Sequence, residues 1–355
     1  MNNVLHILTM VAFLSVATPF TGDAQERFRI MEYNVENLFD TIPDPVKNDR
    51  DFLPDGNNKW TSSRYWTKQG RLARVIAAAG GASPVELVGL VEVENDTVVA
   101  HLTQRTSLAR LGYDYLITNS PDVRGIDVAL LYQSSRFRPI HREDLCVKMD
   151  EGERPTRDVL FVEGLLPTLD TLSVFVAHFP SRRGGKLATD VHRRNAALVI
   201  RQKVDSIQNV RSGALIVIMG DMNDEVQDAS LRETLRVVDA EEYLADEHIS
   251  KHDAQMLCDL PPHCEEYPNV KGTYNFQGDW SKIDHIIVSP ALLRTTSPLH
   301  CSHPFSNILA FPFLLEHDET SVPAYFRPNR MYKGNYYNRG ISDHLPLLVE
   351  MILKQ

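Results

Sequence analysis

The pentapeptide Gly220-Asp221-Met222-Asn223-Asp224 places two carboxylates and an amide directly behind an unbroken apolar run, residues 214–219, that reads as a buried strand. Such a cluster can hold a hard cation, orient a water molecule, or simply cap a helix or turn. Gly220 lets the chain bend there without a Cβ penalty. Similar polar clusters recur at other strand ends. Asn34 and Glu36 follow the strand-like residues 27–33, Glu92 closes the buried run 86–92, and His178 follows residues 172–177. Asp284 lies at the start of the run 283–289, and Asp343-His344 precedes the run 345–352. Carboxylates and amides are the oxygen ligands preferred by Mg²⁺ and Mn²⁺, and histidine titrates near neutrality. Strands that point these groups at one rim of a sheet build a site, and histidine, carboxylate and metal together suit hydrolysis of a phosphate ester.

The elements that would position these residues alternate between helix and strand. Residues 68–79 carry helical spacing through Leu72, Val75 and Ile76, with Gly80-Gly81 as the stop. Asp96 can cap a following helix bearing Val98, Leu102, Leu108 and Leu111. Strand-like runs cover 113–118, 126–132 and 158–162, and a long amphipathic helix presents Leu187, Val191, Ile200, Val204 and Ile207. Residues 41–66 read as a long loop, and 240–275 and 298–340 as ordered surface insertions. No internal repeat is present.

Apolar content of 43% and charged content of 24% are those of a soluble globular protein. The net charge of −10 gives no overall attraction to polyphosphates, so nucleic-acid binding would need a local basic patch or bound cations. Residues 4–20 form an apolar block followed by the small residues Gly22 and Ala24, which predicts a signal peptide over 1–24 and a secreted or periplasmic protein. The block is shorter than the ~20 residues of a spanning helix, so no stable membrane insertion is expected. Export would permit a disulfide between Cys258 and Cys264. A zinc site lacks the paired C-x-x-C spacing.

The clusters, taken in order, resemble the endonuclease/exonuclease/phosphatase superfamily with its DNase-I-like fold. Asn34-Val35-Glu36, Leu90-Val91-Glu92-Val93, His178-Phe179-Pro180, Gly220-Asp221-Met222-Asn223, Ile283-Asp284-His285-Ile286 and Ser342-Asp343-His344-Leu345-Pro346 are similar to its motif blocks. Each string is short and weak by itself; six in sequence, each beside a strand, are specific. Two positions depart from the family's pattern: Val91 stands where Gln often precedes the glutamate, and Val176 where Asn often precedes the histidine. Ser181 or Asn195 could replace that amide. The segments 181–185 and 124–131 resemble a bacterial secreted branch.

The resemblance implies an α/β (α+β) four-layer αββα sandwich, two packed sheets flanked by helices, with residues 25–355 as one catalytic domain, expected to be monomeric. It implies a metal-dependent hydrolase with Mg²⁺ or Mn²⁺ held mainly by Glu92 and Asp343, with Asn34 and Glu36 close by. Asn37 or Asp40 could take the place of Glu36. His344, oriented by Asp284, is the group expected to activate water or stabilise displaced charge, and Asp221 to orient or deprotonate the water. Asn223 and His178 are expected to contact the phosphate, and Arg124, Ser181, Arg182 and Arg183 to bind substrate. His285 reads as a neighbour of Asp284 that takes no part, and Asp224 as part of the turn. The first expectation is a nuclease acting on DNA or RNA; the alternative is a phosphatase or phosphodiesterase for phospholipid, inositol phosphate or nucleotide. A catalytically inactive binding module would require lost ligands, yet Glu92, Asp221, Asn223, Asp284, Asp343 and His344 are all present.

Overall fold

A computed structural model of the 355-residue chain describes residues 26–246, 255–318 and 325–354. The signal peptide expected over 1–24 lies outside the described residues. Among them, no helix is long and apolar enough to cross a membrane.

Two mixed sheets pack face to face. The first runs Pro262–His263, Ser306–Ile308, Leu347–Leu353, Glu26–Leu38, Leu87–Val93, Asp127–Tyr132 and Asp114–Ile117, with Leu299–Cys301 also joined to Leu347–Leu353. The second runs Arg138–Leu145, Val159–Leu165, Thr171–His178, Leu215–Asp221, Asp284–Val288, Leu257–Asp259 and Val237–Asp239. Glu26–Leu38 and Leu87–Val93 lie against Leu215–Asp221 across the interface. Leu87–Val93 and Leu215–Asp221 are apolar on both faces almost to their ends, as strands covered on both sides must be. Between the sheets Gly89 faces Met219; a Cβ there would sit 2.5 Å from the Met219 sulfur.

Helices complete the outer layers. Ser62–Gly80 places Leu72, Ala73, Val75 and Ile76 in the core with the first sheet. Asp190–Val210 sets Ala196, Ala197, Ile200, Val204 and Ile207 against Phe161, Phe175, Ile216 and Ile218 of the second. The result is the four-layer sandwich that the sequence resemblance implies. Several boundaries differ from expectation. The first helix begins at Ser62, inside the expected loop 41–66, because its opening turns are polar and lack the apolar period. The second is capped by Asn95, whose side chain accepts from Val98 N at 3.1 Å, with Asp96 as its first residue. The cysteines are free thiols. Cys258 lies in the second sheet, and the chain then crosses to the first at Pro262–His263, which carries Cys264 away from its expected partner.

Gly220 adopts φ 144°, and a Cβ at that position would stand 1.8 Å from the Ala177 carbonyl oxygen of the neighbouring strand. No side chain fits there without moving the two strands apart. Gly220→Ala should therefore cost at least about 2 kcal/mol. An unchanged melting temperature would show that the strand end is looser than this packing implies.

Candidate active site

The sheet registers gather the candidate residues. His178 pairs with Asp221 across parallel strands, and Asp221 with Asp284 across antiparallel ones, so three chemistry-bearing residues occupy one row of the second sheet. Cross-strand neighbours have Cβ atoms about 5 Å apart, which puts their side chains in reach of one another. The first sheet contributes Asn34 and Glu92 from adjacent strands, each at a break in register. Such bulges re-aim side chains at strand ends. Glu36, Asn37, Glu92 and Asn223 all adopt positive φ between 49° and 65°, a region that L-residues rarely occupy. Unfavourable backbone is thus concentrated where the candidate residues meet, as at functional sites generally.

Asp284, Asp221 and His344 form the buried heart of the cluster. His344 Nδ1 lies 2.8 Å from Asp284 Oδ2, which also accepts from the Thr273 hydroxyl. His344 Nε2 stands 3.9 Å from Asp221 Oδ2. Asp221 is gripped on both oxygens: Asn34 Nδ2 donates to Oδ2 at 3.1 Å and Asn223 N to Oδ1 at 2.9 Å. Ser342 Oγ donates to the Asn34 carbonyl at 2.6 Å and accepts from His344 N at 3.1 Å, tying the last motif to the first. Tyr274 covers the His344 ring, with centroids 4.9 Å apart.

The two histidines of the site have pKa values moved in opposite directions. Burial disfavours a charged His344, but the Asp284 carboxylate, with Asp221 and Asp343 beyond it, outweighs burial and holds the pKa well above the usual value. Burial lowers His178 well below its usual value, and Arg157 and Arg124 reinforce the effect. His178 Nε2 lies 3.7 Å from Asp221 Oδ2 and 3.8 Å from Glu92 Oε1. Burial, then the Asp284 charge, pushes the Asp221 carboxyl up to about 7. Groups moved apart in this way can divide acid and base roles between them.

The oxygen ligands expected for a metal lie around this core. Glu92 Oε2 accepts from Asn37 N at 2.9 Å. Glu36 faces the opposite wall, where its Oε2 accepts from Met331 N at 2.7 Å and its Oε1 lies 3.8 Å from Arg330 Nε. Arg330 also reaches Asp343 Oδ2 at 3.0 Å, so one guanidinium joins Glu36 to Asp343. Asp40 turns away, accepting from Ile42 N at 2.7 Å. Asp221, Asp284 and His344 can each offer a ligand atom within 4.8 Å of the others, a buried group that could bind a divalent ion. The unpartnered, buried Asp284 Oδ1 leaves an anionic oxygen available for one.

The expected substrate residues divide. Arg124, Ser181 and Arg183 line one recess beside His178. Arg182 instead turns into the Asx loop, donating to Asn223 O at 2.5 Å and pairing with Asp228 at 3.2 Å. Lys186 pairs with the same Asp228 at 2.6 Å. The Asn223 amide donates to Phe179 O at 3.1 Å, leaving its second N–H. Asn195 lines a groove with Glu143 and Lys203 on the outer helix, where none of the site residues forms part of the wall. His285 bonds Asp259 Oδ1 and Asp224 O, each at 2.9 Å, in a structural role.

Four buried groups beside the site went unassigned in the sequence. Glu32 shares the strand face of Asn34 and is fully buried, with neither carboxylate oxygen hydrogen-bonded among the described residues. Burial, with Asp284 and Asp221 nearby, raises its pKa well above the ordinary range. Its sequence signal is an acid set among the apolar residues Ile30, Met31 and Tyr33. Lys68 donates to the Glu36 carbonyl from within the core. Arg157 donates to Phe179 O at 2.7 Å, and Arg193 meets Asp224 at 2.7 Å with both side chains fully buried.

The chain matches the model of the Endonuclease/Exonuclease/phosphatase family over residues 29–353 and belongs to that family. It is a hydrolase acting on phosphate esters. Solved structures with the same fold include an endonuclease/exonuclease/phosphatase family protein from Bacteroides thetaiotaomicron, 17% identical, covering 93% of this chain and 99% of that one with a TM-score of 0.56. A mannosyl-6-phosphatase of the same organism is 17% identical over 92% of this chain and all of its own (100%), with a TM-score of 0.56. A humanized D. rerio TDP2 is 14% identical over 92% of this chain and 98% of its own, with a TM-score of 0.53. No curated protein sequence matches significantly.

The buried Arg193–Asp224 pair makes Asp224 structural. Asp224→Ala strands a guanidinium in the core and should cost about 3–5 kcal/mol in a denaturant titration. A loss below about 1 kcal/mol would return Asp224 to the solvated turn.

Proposed function

We propose that the protein is a divalent-metal-dependent phosphoesterase of an extracytoplasmic compartment, cleaving the P–O bond by attack of water. The observation that carries this reading is the buried Asp221, Asp284 and His344 cluster, with Asp221 held on both oxygens and His344 held charged by Asp284. Asp221 orients the attacking water and takes its proton, for which a carboxyl near 7 is well matched to neutral solution. The charged His344 stabilises negative charge developing on the phosphate or the leaving oxygen. His178, kept neutral, offers a ring N–H to a phosphate oxygen, and the free N–H of Asn223 offers another.

Glu92 and Asp343, with Asn34 and Glu36 nearby, are the residues we assign to the ion, Mg²⁺ or Mn²⁺. When bound, it neutralises phosphate charge and favours displacement. Hard oxygen donors fit such an ion better than the histidine of the buried triad does. Arg330 supplies positive charge to Glu36 and Asp343. The buried triad is the competing location for the ion.

Of the two substrate readings, a small phosphate ester is favoured over a polymer. The protein's net charge is −10, and Arg124, Arg154, Arg157 and Arg183 gather in one recess instead of along an extended surface. Binding a nucleic-acid backbone usually engages several phosphates along an extended surface. A DNA or RNA nuclease remains the second reading.

Purified mature protein should hydrolyse bis(p-nitrophenyl) phosphate with added Mg²⁺ or Mn²⁺ and stop on chelation. Asp221→Ala and His344→Ala should each lower that rate by about 100-fold or more; rates equal to wild type would remove both from the chemistry. Glu92→Gln should raise the Mn²⁺ concentration for half-maximal rate by about tenfold or more, while Asp284→Asn lowers kcat and leaves that concentration in place. The opposite pattern would put the ion on the triad. Supercoiled plasmid should stay intact at enzyme concentrations that turn over the small diester; efficient nicking would restore the nuclease reading.

A further inference from the structure

Beside His178 the surface opens into a recess walled by the segments 122–124, 152–157 and 180–181, with Arg183. Arg124, Arg154, Arg157 and Arg183 converge there, opposed among the lining residues by Asp122 and Glu153. On an acidic protein this is a local concentration of positive charge, of the kind that focuses attraction on an anion.

The recess is built as well as charged. Arg157 is fully buried on its floor, fixed by Asp122 Oδ2 at 3.3 Å and by the Phe179 carbonyl at 2.7 Å. Arg157 Nε and the hydroxyl of the buried Thr156 have no hydrogen-bond partner among the described residues. Buried polar groups normally find one, so two donors are left unspent in the shell directly beneath the recess. Arg154 and Arg183 stand exposed at its rim, and neither enters an ion pair or hydrogen bond among the described residues. The Asp122 carboxylate offsets Arg157 and lies 3.9 Å from Arg124. Glu153 is drawn to His192, 3.9 Å away. The two rim arginines are thus the least compensated cations.

Position ties the recess to the proposed chemistry. Phe179, whose carbonyl accepts from both Arg157 and Asn223, directly follows His178. The Arg157 and Arg124 charges bear on His178, and Arg157 interacts with Glu92. A phosphate held among His178, Asn223 and Asp221 therefore has a second anion-binding surface next to it.

Resting on the phosphoesterase reading, we infer that this recess receives a second phosphate group of the same substrate, so that the preferred substrates carry two phosphates rather than one. Guanidinium groups suit the planar, multidentate contacts a phosphate offers. The shared chemistry is a second phosphomonoester group, and the carrier can be a nucleoside or a sugar.

Two matched pairs test this. The nucleoside arm compares p-nitrophenyl thymidine 5′-phosphate with the same ester bearing a 3′-phosphate; the sugar arm compares fructose 6-phosphate with fructose 1,6-bisphosphate. In at least one arm the second phosphate should raise kcat/KM by about tenfold or more, and the preference should weaken as salt is raised. In the double variant Arg154→Gln/Arg183→Gln that ratio should collapse toward unity. A partly misfolded variant scales both rates equally and leaves the ratio intact, so loss of fold cannot imitate the result. The arm that shows the preference names the carrier. No preference in either arm of the wild type, or an undiminished one in the double variant, overturns the inference. If no phosphate ester is hydrolysed at all, the phosphoesterase reading fails separately. Calorimetric titration of the metal-loaded protein with fructose 1,6-bisphosphate and thymidine 3′,5′-bisphosphate then decides the recess on its own. Binding weakened about tenfold by the double substitution sustains it; equal binding, or none, removes it.

Discussion

The contact between His344 and Asp284 is the interaction on which the site depends. It sets a 2.8 Å bond in a place where both side chains are almost wholly screened from water. A lone charge at such a depth is strongly disfavoured. The pair is sustained because each charge answers the other and because Thr273 and Asp221 add further contacts. From it follows the charged state of His344. Burial and the Asp284 charge raise the pKa of Asp221, which Asn34 and Asn223 hold in place. The two sheets are therefore coupled through the candidate active site as well as through the apolar core between them.

Much of this architecture was legible in the sequence because the central strands are covered on both sides. Runs such as 214–219 and 86–92 have no other stable use than as buried strands, and each ends in the polar group it delivers. The edge strand Arg138–Leu145 gave no such signal, since most of its side chains are exposed and polar on both faces. Edge strands of this kind resist pairing with other chains, and the same composition hides them from any reading based on apolar periodicity. The start of the helix Ser62–Gly80 was hidden for a related reason: its first turns are polar.

The site was legible in its parts and less so in its wiring. Asn34, Glu92, His178, Asp221, Asp284 and His344 converge because strand register does the work, and register can be inferred once motifs sit at strand ends. Glu32, Lys68 and Arg330 reach the site through burial and tertiary contact, which residue type alone does not reveal. Arg182 shows the converse. Its place in an arginine-glycine loop suggested substrate contact, whereas Asp224 and Asp228 claim it for the fold. Its neighbour Arg183 points into the recess with Arg154 and Arg157, two arginines that sequence reasoning left without a role.

The central claim is that this cluster directs water at phosphorus, and isotopic labelling reads that event directly. Hydrolysis of bis(p-nitrophenyl) phosphate by the metal-loaded enzyme in ¹⁸O-enriched water, analysed by mass spectrometry, should place one ¹⁸O in p-nitrophenyl phosphate and none in the released p-nitrophenol. Label in the phenol would mean attack at carbon. It would contradict the assignment of Asp221, Asp284 and His344 to cleavage of the P–O bond.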